Sequence, residues 1–290
     1  MDYKKSLKWS LYACLFLLLL GTTACFEGQE GCLDARALNF QVTADTDCSG
    51  CCRYPDLELI FTHKVYLPDD TLNLEYGQGY PNDLGQYFAL EQILYYLSEV
   101  KLLDRLGDPI EVEDRIDIPV AQGSDTTFVE TVDNFILVRP EVFSTLEVGT
   151  LIYEGDISAL QFTLGIPEII QDANPSYFEE THPLAAQDPA MFDEGQGRYL
   201  HHRLGLFRDT LPGTMAEVIQ ITDKEDLVTV TLPLGITSPG GFNTVIRLEV
   251  DYLSWFADID LQNSDQGSIK DQIVANLANS FRILSVSFSQ

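Results

Sequence analysis

The 290-residue chain is poor in basic residues. It has 17 lysines and arginines against 45 aspartates and glutamates, a formal net charge of −28 at pH 7. Such an excess of negative charge opposes binding to nucleic acid and to anionic lipid head groups, and it favours solubility. Disorder is excluded as well, because 45% of the residues are hydrophobic and 11% are aromatic, which is enough to build a packed core.

The chain also lacks a hydrophobic run long enough to span a bilayer. Its apolar stretch at residues 11–20 is shorter than the roughly 20 residues that a membrane-spanning helix needs. The stretch follows a lysine-rich start and precedes small residues that end at Cys25, an order typical of an export leader. The segment resembles a bacterial lipobox. We therefore expect a signal peptide over residues 1–24, acylation of Cys25 and a lipidated linker over residues 25–31.

Acylation at Cys25 predicts a lipoprotein that is attached to the membrane by its N-terminal lipid. We expect it in the bacterial cell envelope, anchored in the outer membrane on either the periplasmic or the cell-surface face. Removal of residues 1–24 would leave 44 acidic and 14 basic residues, a formal charge of −30. The alternative is ordinary secretion with Cys25 in a disulfide.

Cysteine is scarce beyond Cys25. The four remaining cysteines all fall within residues 32–55, at positions Cys32, Cys48, Cys51 and Cys52. Outside the cytoplasm four thiols predict two disulfides, with three pairings open. Adjacent cysteines seldom bond to each other because the ring is strained, so we expect each to have a different partner. A zinc site is the alternative, since Cys48 and Cys51 have ligand spacing.

Motifs for enzymatic chemistry are absent from the sequence. There is no Gly-x-Ser-x-Gly elbow, no phosphate-binding glycine loop and no His-Glu-x-x-His. Acidic pairs such as Glu179-Glu180 recur throughout so acidic a chain, and the sequence does not single one out for a hydrolase. We therefore expect a protein that is not an enzyme.

The remaining residues, 56–290, are dominated by strand patterns. Alternation of apolar and polar residues predicts strands over residues 57–66, 133–139, 157–164, 216–222, 227–234, 243–251 and 281–288. This spacing predicts a mainly β domain, an antiparallel β-sandwich of immunoglobulin-like or related type, with one or two short helices.

Three segments of this domain do not show a clear strand pattern. Residues 88–103 combine helical spacing with an aromatic pair that favours a strand, and their structure is left open. A helix is predicted over residues 269–280, with Ser268 and Asp271 as a capping pattern. Residues 167–211 show little regular pattern, which is typical of a functional loop.

Histidine is also rare, and the few copies are concentrated. Three of the four, at positions 182, 201 and 202, lie in the irregular segment together with Met191, while His63 occupies an apolar position of a predicted strand. Imidazole and thioether groups suit soft metals, copper above all. A core histidine bonded to a carbonyl is the alternative for His63, and a solvated face is the alternative for His201 and His202. Neighbouring strand residues point to opposite sides, so at most one of that pair is expected to be a ligand.

Several segments together resemble a known family. They are the strand with His63, the Leu-Tyr-Tyr-Leu-Ser-Glu-Val-Lys-Leu segment, the Phe-Thr-Leu-Gly-Ile-Pro strand end, the loop from His182 to Phe192 and the closing helix. In order and spacing these are similar to the MbnP-like periplasmic copper-binding proteins. The resemblance covers roughly residues 57–290.

The resemblance implies a β-rich, extracytoplasmic copper-binding or copper-delivery protein. It implies His63 and His182 as ligands, with Met191 or His201 completing the site, and in some members a di-haem peroxidase-like partner that oxidises a tryptophan. Two motifs of this resemblance are altered. Members of the family commonly have Met-Phe-Trp where this chain has Met191-Phe192-Asp193, and a later His-Gly motif is replaced by Leu234-Gly235. Apart from Trp9 in the leader, the only tryptophan of the sequence is Trp255, in an apolar run predicted to pack in a sheet.

A different class of function fits the same sequence. The fold could serve as a metal-free cell-surface interaction module, binding a protein or glycan partner through its acidic face and the loop over residues 167–211. The acidic residues that follow Cys25 are similar to surface-export signals of such lipoproteins.

Overall fold

The computed structural model describes residues 28–122, 125–211 and 213–290. The predicted leader and the acylation site at Cys25 lie outside the described residues. The described residues divide into two compact units: a small one with residues 28–34 and 39–52, and a large one with residues 35–38 and those from 53 to 290.

The small unit is held by two disulfides. Cys32 bonds to Cys52 and Cys48 bonds to Cys51, so the adjacent cysteines have different partners, as predicted. A short parallel pair, β1 (Glu30–Gly31) and β2 (Thr46–Asp47), lies beside them. With all four sulfurs oxidised, none is a thiolate that zinc requires.

Strands are the main secondary structure of the large unit. In chain order they are β3 (Asp56–Leu67), β4 (Asp70–Asn73), β5 (Tyr80–Pro81), β6 (Tyr87–Asp104), β7 (Pro109–Ile110), β8 (Arg115–Gln122), β9 (Asp125–Val132), β10 (Ile136–Val138), β11 (Thr145–Thr150), β12 (Gly155–Leu164), β13 (Phe192–Asp193), β14 (Arg198–Tyr199), β15 (His202–Phe207), β16 (Glu217–Ile221), β17 (Val228–Ser238), β18 (Asn243–Asp251) and β19 (Phe281–Ser289). The helices are α1 (Glu168–Gln171), α2 (Gln266–Asn276) and four 3₁₀ turns at Pro175–Tyr177, Lys224–Asp226, Ser254–Phe256 and Leu277–Ser280.

The strands form a β-sandwich, which confirms the predicted fold class. One sheet has the order β16-β15-β6-β12-β17, with β5, β7 and β10 paired to β6. The other has the order β11-β3-β18-β19, with β4 paired to β3. In these two sheets β3 and β18 run parallel and every other pair is antiparallel. Two small hairpins, β8–β9 and β13–β14, stand apart from them.

An apolar core, here called the inner core, contains side chains from both sheets and from α2. Its members include Leu59 on β3, Leu248 on β18, Leu97 on β6 and Phe162 on β12, with Ile273 from the helix. Burial of alternate positions on each strand is what the sequence pattern predicts for a sandwich. This core also holds the aromatic residues that the functional site uses.

Strand β6 is buried on both faces, which explains its ambiguous sequence. Tyr95 and Leu97 belong to the inner core, while Leu94 and Tyr96 belong to a second cluster, here called the outer core. The outer core is completed by residues of the segment over 166–200, among them Ile166, Ile170, Leu184, Met191, Tyr199 and Leu200. A strand that is buried on both faces can have apolar residues at successive positions. Its sequence then lacks the alternation of apolar and polar residues that identifies a strand.

The predicted start of one helix is wrong. Helix α2 begins earlier than expected, because the side chain of Asp265 accepts the Ser268 amide hydrogen and caps the helix there. Trp255 belongs to the 3₁₀ turn that follows β18 and is fully buried in the inner core, where it packs with side chains of both sheets. No helix of the described residues combines the length and apolar character needed to cross a membrane.

Candidate functional site

His63 lies in the middle of β3 and is half-buried. Its Nδ1 is 2.8 Å from the hydroxyl oxygen of Tyr252, and among the described residues its Nε2 has no hydrogen-bond partner. The ring lines a pocket of about 130 Å³ whose other walls include Leu137 and Arg139. Burial lowers the pKa of His63 to about 4, so the imidazole is neutral at pH 7.

Tyr252 connects His63 to the inner core. Its hydroxyl is 3.4 Å from that of Tyr95, and its ring centroid is 5.0 Å from that of Trp255. If Nδ1–H of His63 donates to Tyr252 and Tyr252 donates to Tyr95, Nε2 keeps a free lone pair. A metal-binding histidine commonly has its second ring nitrogen held by such an outer hydrogen bond, which sets the tautomer and orients the ring.

His202 opens β15 and is fully buried in the inner core. Its ring stacks on Tyr95, with centroids 5.5 Å apart, and meets Trp255 edge-on at 5.9 Å. Neither ring nitrogen has a hydrogen-bond partner within the described part of the chain, and the same is true of Trp255 Nε1. Burial lowers the pKa of His202 to about 3. Each unpartnered buried polar group costs about 1–3 kcal/mol.

His201, the preceding residue, has the opposite surroundings. Its Nδ1 accepts the amide hydrogen of Ile166 at 3.0 Å, and its Nε2 donates to the carbonyl oxygen of Asp223 at 3.2 Å. Burial lowers its pKa to about 4. Since both nitrogens bond to backbone, His201 connects its strand to two loops.

His182 and Met191 lie at the outer core. The Nε2 of His182 is 3.0 Å from a carboxylate oxygen of Asp133, and its Nδ1 accepts the Leu184 amide hydrogen at 3.1 Å. Met191 is buried among apolar side chains. Both nitrogens of His182 are therefore engaged, and Met191 packs as a core residue.

Within the part of the chain that the structure describes, the three predicted histidine ligands, His63, His182 and His201, do not form a group of donors within 4.8 Å of one another. Among described residues, the one set of three histidine, cysteine or carboxylate donors within 4.8 Å of one another is Asp47, Cys48 and Cys52, whose cysteines are in disulfides. His63 and His182 line neighbouring pockets that share Leu137, Arg139 and Leu146. The four-residue ligand set stays a prediction.

A family model described as MbnP matches residues 54–273. The chain belongs to the MbnP family. The solved structure of MbnP from Methylosinus trichosporium is similar over 72% of this chain and 78% of that chain, with 11% identity and a TM-score of 0.39. No curated protein matches.

Asp193, where the resemblance to the family led us to expect an aromatic residue, closes the turn of the β13–β14 hairpin. Its Oδ1 accepts amide hydrogens from Gly195 and Gln196. Trp255 instead lies in the inner core beside His202.

Sequence reasoning missed His202, Tyr95, Tyr252 and Trp255 as members of one cluster. From the adjacency of His201 and His202 the sequence predicted only that at most one of the two would be a ligand. Which one it was depends on how β15 pairs with β6, and the sequence carries no direct sign of that pairing.

Proposed function

We propose that this chain is a non-enzymatic copper-binding or copper-delivery protein, exported and anchored to the cell envelope by lipid at Cys25. The carrying observation is His63, a neutral imidazole with Nδ1 held by Tyr252 and Nε2 unbonded beside a pocket. Membership of the MbnP family supports copper as the metal.

The residues present fit copper better than a hard cation. Cuprous copper accepts neutral imidazole nitrogen and needs few ligands, whereas calcium and magnesium require several oxygen ligands. Because a histidine must be deprotonated to bind a metal, burial that keeps His63 neutral favours binding. The net charge of −28 raises the local concentration of any cation.

Anaerobic titration with Cu⁺ against a competing chelator tests this proposal. We expect His63→Ala to remove binding or weaken it strongly, and Tyr252→Phe, which loses the outer hydrogen bond, to weaken it by about 10- to 100-fold. His182→Ala serves as the matched control, because both nitrogens of His182 already have protein partners. Circular dichroism checks that each variant is folded.

Two results would contradict the proposal. One is a wild-type protein that binds no copper under these conditions. The other is an affinity that stays the same in the His63→Ala variant. Mass spectrometry of the N-terminal peptide from the native envelope tests the lipid anchor separately, since acylation adds the mass of the lipid to Cys25.

A metal-free interaction module is the second candidate. The ring nitrogens of His182 and His201 all bond within the protein, which leaves none of them for a metal. A groove of about 520 Å³, lined by residues of the irregular loop that include Asn174 and Phe192, could hold a partner. Elemental analysis of protein purified from its native envelope separates the two, because a module of this kind carries no stoichiometric copper.

A further inference from the structure

Strand β6 carries a bulge with a glutamate in the left-handed backbone region. Between Ser98 and Lys101, two residues of β6, Glu99 and Val100, stand opposite a single residue of β12. The φ angle of Glu99 is +51°, a conformation that glycine adopts freely and that a side chain makes unfavourable. Bulges commonly redirect a side chain next to a functional site. The glutamate at this position therefore points to a role for its carboxylate.

Glu99 lines a cavity of about 170 Å³ beside the outer core. Phe135 and Ile170, two buried members of that core, form apolar walls of the cavity. Lys101 and Glu111 add two charged side chains to its lining. One ammonium and two carboxylates thus share a small space with an apolar surface.

The protein does not neutralise the charged groups of this cavity. Oε2 of Glu99 accepts the hydroxyl hydrogen of Thr163 at 2.7 Å, while its Oε1 has no partner among the described residues. In the same part of the chain, the side chains of Lys101 and Glu111 have neither a hydrogen bond nor an ion pair, with each other or with Glu99. Lys101 is half-buried, and in a chain with 45 acidic and 17 basic residues a buried lysine ordinarily has a carboxylate partner. The cavity therefore holds opposite charges apart, open to a ligand that carries both signs.

The ligand that matches these groups is a small zwitterion with an apolar side chain. Its carboxylate would pair with the ammonium of Lys101, and its own ammonium with Glu99, through charge-assisted hydrogen bonds. Its apolar part would replace water against Phe135 and Ile170. A cavity of about 150 Å³ accommodates a molecule as large as benzene, so the side chain of an aliphatic amino acid fits. A metal ion would not use the ammonium, and a neutral sugar would use none of the charges.

We propose that this cavity binds a free aliphatic α-amino acid such as leucine. Lys101 binds the carboxylate of the ligand, and Glu99 binds its ammonium. The site is separate from His63 and needs no metal, so it does not depend on the copper-binding function proposed above.

Equilibrium dialysis of the full chain against radiolabelled leucine tests this proposal. The buffer contains EDTA, because leucine chelates cupric ions and metal-bound leucine would otherwise be counted. We expect saturable binding of one leucine per chain and a thermal midpoint that rises with leucine concentration. Leucinamide, which lacks the carboxylate, and N-acetylleucine, which lacks the ammonium, should each bind at least about tenfold more weakly.

The decisive variants each remove one charge and keep most of the side chain. Glu99→Gln retains an acceptor for Thr163, and Lys101→Met retains the aliphatic stem. We expect each to weaken leucine binding by at least about tenfold. Glu91→Gln, at an exposed position of the same strand outside the cavity, is the matched control and should bind leucine as wild type does. Glu99→Asn replaces Glu99→Gln if that variant does not fold, since asparagine tolerates the left-handed region.

The outcomes separate this proposal from the copper site. A wild-type protein that binds no leucine overturns it, and so do Glu99→Gln and Lys101→Met variants with wild-type affinity. The zwitterion assignment is wrong if leucinamide or N-acetylleucine binds as tightly as leucine. Titration of the Glu99→Gln variant with Cu⁺ should give the wild-type affinity, because Glu99 is not part of the site at His63.

Discussion

Asp251 is the last residue of β18, and its ionised carboxylate should destabilise the protein at neutral pH. A variant without this charge should therefore be more stable than wild type at neutral pH but not at mildly acidic pH. The Oδ1 of Asp251 accepts the amide hydrogens of Tyr66 at 3.1 Å and Leu253 at 3.0 Å. Burial, reinforced by the nearby Glu249 carboxylate, raises the pKa of Asp251 to about 6.

The direction of the effect follows from proton binding. Because the pKa in the folded state is higher than the usual 3.8, the folded protein holds this proton more tightly than the unfolded chain does. The contribution of Asp251 to stability is therefore fully present below about pH 4 and is lost as the pH rises through about 6. A rise of about two pKa units corresponds to about 3 kcal/mol, which solvent screening of this half-buried group reduces to about 1–2 kcal/mol.

Asp251→Asn is the perturbation that tests this reasoning. The amide oxygen can still accept both hydrogen bonds, but the side chain has no charge. We expect the variant to be more stable than wild type by about 1–2 kcal/mol at pH 7.5 and equal to it near pH 4. Urea unfolding at both pH values, followed by circular dichroism, measures the difference.

Comparing the two proteins at each pH cancels the contributions of the buried histidines, which are the same in both. Asp69→Asn, at an exposed position, is the control and should change stability little at either pH. The reasoning is refuted if Asp251→Asn is less stable than wild type at pH 7.5, or if the difference is the same at both pH values.

Two further substitutions test features of the fold. Gly165→Ala should destabilise the protein by about 2–4 kcal/mol, because φ is +116° and an added Cβ would lie 2.6 Å from Leu227 and 2.8 Å from the ring of His201; an unchanged urea midpoint would contradict this. Asp265→Ala should cost about 1 kcal/mol through loss of the α2 cap, measured in the same assay, and no loss would show that the cap contributes nothing.

Strands with one buried face could be predicted well from the sequence. The strand expected over residues 243–251 has those bounds in the structure, and the strand expected over residues 281–288 extends by one residue. Strand β6 could not be assigned because both of its faces are buried. The capping pattern of α2 was predicted at Ser268 and Asp271. In the structure the side chain of Asp265 accepts the amide hydrogen of Ser268 and caps the helix instead.

Strands β13 to β15 were not predicted from the sequence. Residues 167–211 have little periodicity because much of their apolar content faces β6 from outside, in the outer core. Strand β15 lies within this segment and is short: the side chains of His202, Leu204 and Leu206 are buried, while Arg203 and Phe207 are partly exposed. Six residues with a central glycine give too few alternations to stand out in the sequence.

The choice between His201 and His202 shows why a candidate site can depend on strand register. In the pairing of β15 with β6, His202 lies opposite Tyr95, and residues opposite each other in a sheet point to the same face. Tyr95 faces the inner core, so His202 does too, and its ring stacks there. A slip of one residue would exchange the faces of the two histidines, placing His201 beside Trp255 and His202 against the loops. Residue types alone do not distinguish these registers. The packing of the folded strand does: β15 pairs with β6 and β16, and Leu204 and Leu206, on the same face as His202, lie in the inner core. The position of the unpaired imidazole is a consequence of that packing.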